Sequence, residues 1–251
     1  MKHPPNPQNA PQGVLVDQTP HACPYLEGRT AVLPLRWYPE RIGPDDFDEL
    51  LAQADRRVGR TLYHPACPSC SACQGIRVPI EDFAFSRSQR RTWKRNMDLR
   101  VVAGPPLVDK HRVRLFNKHK LSRSLGERAI SQSRYRDWLA VSCADTIETR
   151  YMLGDKLLAV GILDLGRRDA SSVYFYFDPD VSERRLGVFS VLAEIAWLKR
   201  NGYRHYYLGL YVADCAQLSY KATYFPHERL VEGRWWRYDA RGAAPTAVDQ
   251  P

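Results

Sequence analysis

The segment Leu218-Ser219-Tyr220-Lys221-Ala222 follows an apolar run, Tyr207-Leu208-Gly209-Leu210-Tyr211-Val212, that reads as a buried strand. The short loop between them places Tyr220 and Lys221 near the strand's end. A phenol there can donate to a developing oxyanion, and an ammonium can hold an anion. Upstream, Ser172-Val173-Tyr174-Phe175-Tyr176-Phe177 runs into Asp178-Pro179-Asp180. Asp178 is a carboxylate able to orient or deprotonate an amine, and equally a turn-former before proline. A strand, a helix and a second strand flanking a cleft is how several acyl-transfer folds hold a donor and an acceptor amine. A different chemistry is written in Cys67-x-x-Cys70-x-x-Cys73. Three thiolates on one tight turn can converge on a single soft cation, and tetrahedral closure needs a fourth ligand. Cys23 is the first candidate, with His21 and His64 as alternatives. Zinc suits such a knuckle, an iron–sulfur cluster uses the same thiolates, and reduced thiols without metal are the remaining reading. Cys143 and Cys215 stand alone and read as packing residues.

The elements that must hold these groups follow from pattern. Glu148 to Leu153, Lys156 to Leu165 and Ser172 to Phe177 read as strands, with Gly154-Asp155 as a hairpin turn. Val188 to Asn201 reads as an amphipathic helix closed by Gly202, and His205 to Val212 as the next strand, with Arg234 to Tyr238 as a further one. Earlier in the chain, Phe47 to Ala54 has helical spacing, and Ile76 to Ile80 is a short strand that Pro79 assigns to a sheet edge. Ser88 to Asp98 is a basic helix, and helical pattern continues over 108–125 and 135–142. Residues 1–20, rich in Pro, Gln and Asn, and 239–251 read as disordered tails. A composition shift near Asp145 divides a basic, cysteine-bearing region over 21–145 from a region of mixed helices and strands over 146–238.

The chain has 251 residues, 44% of them hydrophobic and 26% charged, and so can bury a sizeable core. It carries no run long enough to cross a membrane and no apolar leader core after Met1-Lys2-His3, which makes the cytoplasm the expected location and a membrane partner unexpected. The net charge of +9 favours an anionic partner. The basic residues are clustered: Arg87, Arg90, Arg91, Lys94, Arg95 and Arg100 are followed closely by Lys110, Arg112, Arg114, Lys118, Lys120, Arg123 and Arg128. Such density points to a polyanion.

Several motifs in a fixed order resemble the bacterial aspartate/glutamate leucyltransferases, relatives of the eukaryotic arginyl-tRNA–protein transferases. They are Cys23-Pro24-Tyr25-Leu26-x-Gly28-Arg29, Cys67-Pro68-x-Cys70-x-Ala72-Cys73-x-x-Ile76-Arg77-Val78 and Arg87-Ser88-Gln89-Arg90-Arg91. Ser172-Val173-Tyr174-x-x-Phe177-Asp178-Pro179-Asp180, Leu186-Gly187 and Tyr220-Lys221-Ala222 complete the set. The resemblance runs over about residues 21 to 238. It implies a monomeric α+β enzyme with a GNAT-like acyltransferase C-terminal half and a smaller basic, cysteine-containing N-terminal half. That enzyme would move an amino acid from its tRNA ester to the N-terminal amine of proteins beginning with Asp or Glu, marking them for degradation. Arg185-Leu186-Gly187-Val188 has one glycine where an acetyl-CoA phosphate loop needs more, so acetyl-CoA is not expected as a cofactor. The chain departs from the leucyl pattern at Gly209-Leu210-Tyr211, where Gly-Tyr-Trp is usual, and at Leu218, where Met is usual. Tyr211 and Cys215 look closer to the arginyl branch, so leucine or arginine is the expected cargo.

Under that resemblance the candidate residues take roles. Asp178, Tyr220 and Lys221 are the catalytic candidates. An acceptor carboxylate calls for a cation, for which Arg77 offers a fork and Lys221 a point charge. Tyr174 and Tyr176, with Tyr220, are placed to line the cleft and donate to the ester carbonyl, although tyrosines at alternate strand positions serve packing just as readily. Arg87, Arg90, Arg91, Lys94 and Arg95 are assigned to the tRNA backbone. Trp93 among them either stacks on an unpaired base or anchors the helix.

Overall fold

The computed structural model describes residues 13–248. Six short strands come first: β1 (Val14–Asp17), β2 (His21–Ala22), β3 (Thr30–Ala31), β4 (Leu35–Trp37), β5 (Arg56–Val58) and β6 (Thr61–Tyr63). They are followed by β7 (Gln74–Pro79), β8 (Arg100–Gly104), β9 (Asp145–Leu153), β10 (Lys156–Leu165), β11 (Asp169–Phe177) and β12 (His205–Tyr211), then β13 (His227–Val231), β14 (Arg234–Tyr238) and β15 (Thr246–Ala247). The helices are α1 (Pro44–Ala52), α2 (Arg87–Arg95), α3 (Lys110–Ser122), α4 (Gln132–Tyr135), α5 (Leu186–Arg200) and α6 (Ala216–Ser219).

One nine-stranded sheet organises the molecule, in the order β15-β14-β13-β7-β12-β11-β10-β9-β8. The division expected at Asp145 does not separate two sheets, because β7 and β8 come from before it and are built into the same one. Nor is β7 an edge strand. It lies between β13 and β12, and Pro79, its last residue, costs the ladder little because pairing with His205 ends there. A separate four-stranded sheet, β1-β4-β6-β5, packs nearby. The tail expected over 1–20 gives way over its described part to β1. The tail over 239–251 gives way at β15, which pairs with β14; residues 1–12 and 249–251 lie outside the described ones.

Most pairs in the large sheet are antiparallel, as hairpins dictate. The exception positions the site. β11 and β12 run parallel, joined by the α5 crossover, and pair only over Asp169–Ser171 against His205–Tyr207. Beyond those three pairs both strands continue, to Phe177 and Tyr211, without bonding to each other. The sheet therefore splits. Ile195, Leu192 and Leu198 of α5 pack with Ile76, Val78, Leu163 and Tyr206 to form the core under that split. On the other face, Phe116 of α3 and Tyr135 of α4 cover Val160, Ile162 and Tyr176.

Candidate active site at the strand split

Tyr220 and Lys221 stand where the chain leaves β12 and turns back. Lys221 is buried, and its Nζ donates to the Leu210 carbonyl at 2.9 Å. Burial, helped by the nearby Arg56 guanidinium, holds its ammonium well below the usual lysine pKa. Tyr220 is 47% exposed as a residue, yet burial of its hydroxyl end pushes the phenol upward, and it lies near Arg123, Arg56 and Glu194. Tyr224 is buried beside them, with its hydroxyl lacking a partner and Arg185 in reach.

Glu194 of α5 forms the floor. It is buried at 3% exposure, and burial raises its carboxyl to about 7. Thr149 Oγ1 and Tyr151 Oη donate to one oxygen at 3.0 Å, and Tyr206 Oη donates to the other at 2.5 Å. Gly161 is required opposite, because a Cβ there would collide with this carboxylate. Sequence pattern shows Glu194 only as a polar residue inside an apolar helix, and nothing local reveals its three hydroxyl partners.

The other sequence candidates are distributed differently. Arg77 of β7 is buried, its Nε donating to Glu228 Oε2 at 2.7 Å and its Nη1 to Tyr207 Oη at 2.8 Å, with the Trp235 ring 4.1 Å from its guanidinium carbon. Burial opposes its charge, and Tyr207 with Glu228 more than restores it. Its Nε and Nη1 are therefore engaged within the chain, and Trp235 covers its guanidinium.

Asp178 caps the 3-10 turn that follows β11, accepting from Asp180 N at 3.2 Å. Lys118 Nζ donates to it at 2.6 Å and Lys156 Nζ lies 3.1 Å away. Burial pushes its carboxyl up, but the two lysines outweigh that and hold it below the ordinary range. So poised, it is a weak base engaged by two ammonium groups.

Tyr176 is fully buried and shares a 2.6 Å hydrogen bond with Tyr135, while Tyr174 packs on Phe116 and Trp138. Both face α3 and α4, so the packing alternative describes them.

Arg87, Arg90, Arg91, Lys94 and Arg95 are all exposed on α2, and none takes part in an ion pair among the described residues. A capping box between Ser86 and Gln89 starts that helix. Trp93 lies against Phe85 and Phe189, so it anchors the helix to α5. Arg185 at the start of α5 donates to Ser88 Oγ at 3.3 Å, which ties the basic helix to the rim of the split.

Cys73 lies close enough to Cys23, Cys67 and Cys70 for their charges to add to burial in raising its thiol to about 11. The four thiols thus lie in one region, and thiolates are soft donors of the kind zinc and iron–sulfur clusters take. Among the described residues no three His, Cys, Asp or Glu side chains are closed into a liganding arrangement. Cys67 Sγ accepts from Val32 N at 3.4 Å, and neither His21 nor His64 joins the set: His64 bonds Asp55 and His21 bonds Thr19 O.

Comparison with known families decides what this constellation belongs to. The family description "Arginine-tRNA-protein transferase, N terminus" matches residues 21–91, and "Arginine-tRNA-protein transferase, C terminus" matches residues 111–231. The chain belongs to the arginine-tRNA-protein transferase family. Within that family it is 32% identical over 238 residues to the aspartate/glutamate leucyltransferase of Acinetobacter baumannii, covering 92% of this chain and 86% of that protein. It is 34% identical over 222 residues to the aspartate/glutamate leucyltransferase of Halorhodospira halophila, covering 86% and 93%. A looser likeness in shape is found with the solved structure of FemX, at a TM-score of 0.43 and 8% identity over 65% of this chain and 59% of that one. Among the described residues no helix is long and apolar enough to cross a membrane. The transferase chain is an aminoacyltransferase of mixed helix and strand.

Proposed function

We propose that this transferase moves leucine from leucyl-tRNA to the α-amine of proteins beginning with Asp or Glu, at the split between β11 and β12, in the cytoplasm and as a monomer. The observation that carries the reading is the split itself: two parallel strands that separate after three pairs, with Tyr220, Tyr224 and Lys221 at the gap and an unpaired basic helix at its rim. This is the arrangement expected of a GNAT-like acyltransferase half.

The donor is an activated ester, so positioning supplies much of the rate. The acceptor amine, with a pKa near ~8, is partly neutral at cytoplasmic pH. Its nitrogen attacks the ester carbonyl, the bond to the tRNA ribose oxygen breaks, an amide forms, and the amine's proton ends on the released hydroxyl. Tyr220, with the unpartnered hydroxyl of Tyr224, is placed to donate to the carbonyl oxygen as charge develops. We read Asp178 as holding the end of β11 through Lys118 and Lys156, and Tyr174 and Tyr176 as the packed wall behind it. The exposed cations of α2 take the tRNA backbone.

Leucine is favoured over arginine by the names of the relatives and by Glu194. It is a buried carboxylate near Tyr220, and its oxygens already accept from three hydroxyls, so it offers a guanidinium no pair of free acceptors. Cys23, Cys67, Cys70 and Cys73 would hold zinc or an iron–sulfur cluster that ties the N-terminal segments beside the gap. Metal analysis of anaerobically purified protein distinguishes zinc, iron with sulfide, and bare thiols.

The function is tested by offering leucyl- and arginyl-tRNA, separately labelled, in one reaction with a peptide beginning with Asp. Label from leucine is expected on the peptide. Label from arginine alone would transfer the assignment to the other donor, and no label from either would overturn the enzyme reading.

A further inference from the structure

The charges of β5 are treated unequally by the fold. Asp55, just before the strand, accepts from Arg36 and bonds His64. Arg57 is buried, with its Nε donating to Asp164 Oδ2 at 2.6 Å. Arg56 between them faces the opposite way, as strand alternation requires. It takes part in no ion pair or side-chain hydrogen bond among the described residues, and its Nε is buried without a partner. Leaving such a donor unsatisfied is costly unless a ligand completes it.

Its surroundings define what that ligand must be. The guanidinium lies against β12 at Gly209, whose φ of 91° and bare Cα admit it; a Cβ there would collide with the group. Beyond it is Lys221, buried, whose only hydrogen-bond partner among the described residues is the Leu210 carbonyl. Tyr25 and Tyr220 both lie near Arg56, and Cys73 lies near Tyr25. Two basic side chains are thus held together in a place largely closed to water, and among the described residues no carboxylate pairs with either. Like charges so placed repel, and a bound anion reverses that cost.

We propose that Arg56 and Lys221 form the pocket for the side-chain carboxylate of the acceptor's first residue, Arg56 supplying the fork and Lys221 the point charge. The proposal rests on the transferase reading above and adds to it the residue that reads acidity. Lys221 is 8% exposed, so a group that meets it must be slim, as a carboxylate on a one- or two-carbon stem is and a phosphodiester with a ribose on each side is not. The exposed cations suited to phosphate are on α2, at the α5 end of the gap. Tyr220 lies near both Arg56 and Glu194, so an amine whose carboxylate is held at Arg56 would meet an ester held at Tyr220.

The test compares matched peptides beginning with Asp and Asn, and with Glu and Gln, in transfer from leucyl-tRNA and in direct binding by fluorescence anisotropy. Wild type should favour the acid of each pair. Arg56→Gln should shrink that acid-to-amide preference by at least about tenfold. Arg56→Lys, which keeps the charge and the stem, should fall between, and it carries the test if the Gln variant melts early. An unchanged acid-to-amide ratio in a folded Arg56 variant would overturn the pocket and leave the transferase reading intact. So would weaker tRNA binding with that ratio preserved, since Arg56 would then be a phosphate contact. Conversely, an Arg56-dependent preference for acidic peptides in binding, with no transfer by wild type, would support the pocket and refute the reaction.

Discussion

Arg77 and Arg56 both reach β12, two residues apart, and their surroundings are opposite. Arg77 bonds Tyr207 and Glu228 and is covered by Trp235, so its charge is spent inside the protein. Arg56 lies against Gly209, unpaired, beside a second cation. A charge matched by the fold contributes to holding the sheet together; β13 meets β7 where Glu228 pairs with Arg77. A charge the fold leaves unmatched is available to a ligand. Asp178 falls with Arg77 in the first class, and the α2 arginines fall with Arg56 in the second.

The largest effect expected from this contrast is at Arg77. Replacing it with Ala strands Glu228 in the interior, and urea denaturation should show a loss of about 3–5 kcal/mol. A loss under about 1 kcal/mol, with a selective defect on acidic acceptors, would return Arg77 to the substrate site and break the comparison.

Glu194 is matched by hydroxyls rather than by a cation, and its response to pH follows. Its folded pKa of about 7 lies above the unfolded value of 4.5, so the native state holds a proton that the unfolded chain has released. Stability from this group is full below about 4.5 and is lost as pH rises to about 7. Glu194→Gln should therefore be more stable than wild type at pH 8, by on the order of 3 kcal/mol, and no more stable at pH 4. Thermal melts at both values check this. A gain that does not depend on pH would show that the carboxyl is ionised throughout.

A smaller change is expected at Asp178. Its carboxyl is held low by Lys118 and Lys156, so its contribution is present above the unfolded value and disappears as pH falls through the folded one. Asp178→Asn should lower the melting temperature by a few degrees at pH 7, roughly what the loss of about 1 kcal/mol produces, and by less near pH 3. Transfer at pH 7 should stay within a few-fold of wild type. A thousandfold loss of rate would instead make Asp178 the base.

The unmatched cations of α2 give the smallest effect each. Arg87→Ala and Arg91→Ala should each weaken tRNA binding and lower the slope of log affinity against log salt by about 1. An unchanged slope would remove α2 from the interface.

Much of the frame was legible in the chain. The α5 crossover, closed after Asn201, and the strands flanking it follow their apolar patterns, and the ordered motifs identify the family. Position in the sheet was not legible. Pro79 argues for an edge when read locally, but β7 is central because its proline falls where its pairing ends. The site was read in part. Tyr220 and Lys221 do meet at the gap, since a short loop after a strand leaves little choice. Arg77 and Asp178 stood out by their motifs, and their partners, Glu228, Lys118 and Lys156, are far away in sequence. Arg56 went unnoticed for the complementary reason. Its distinction is the lack of a partner, which only the packed chain reveals.

The central claim, leucyl transfer to an acidic N terminus at the β11–β12 split, is tested most directly by intact-mass spectrometry. A folded protein beginning with Asp is incubated with this enzyme and leucyl-tRNA, beside the same protein beginning with Asn. The Asp protein should gain the mass of one leucine residue at its α-amine while the Asn protein is left largely unmodified. An unmodified Asp protein, or equal modification of both, would contradict it.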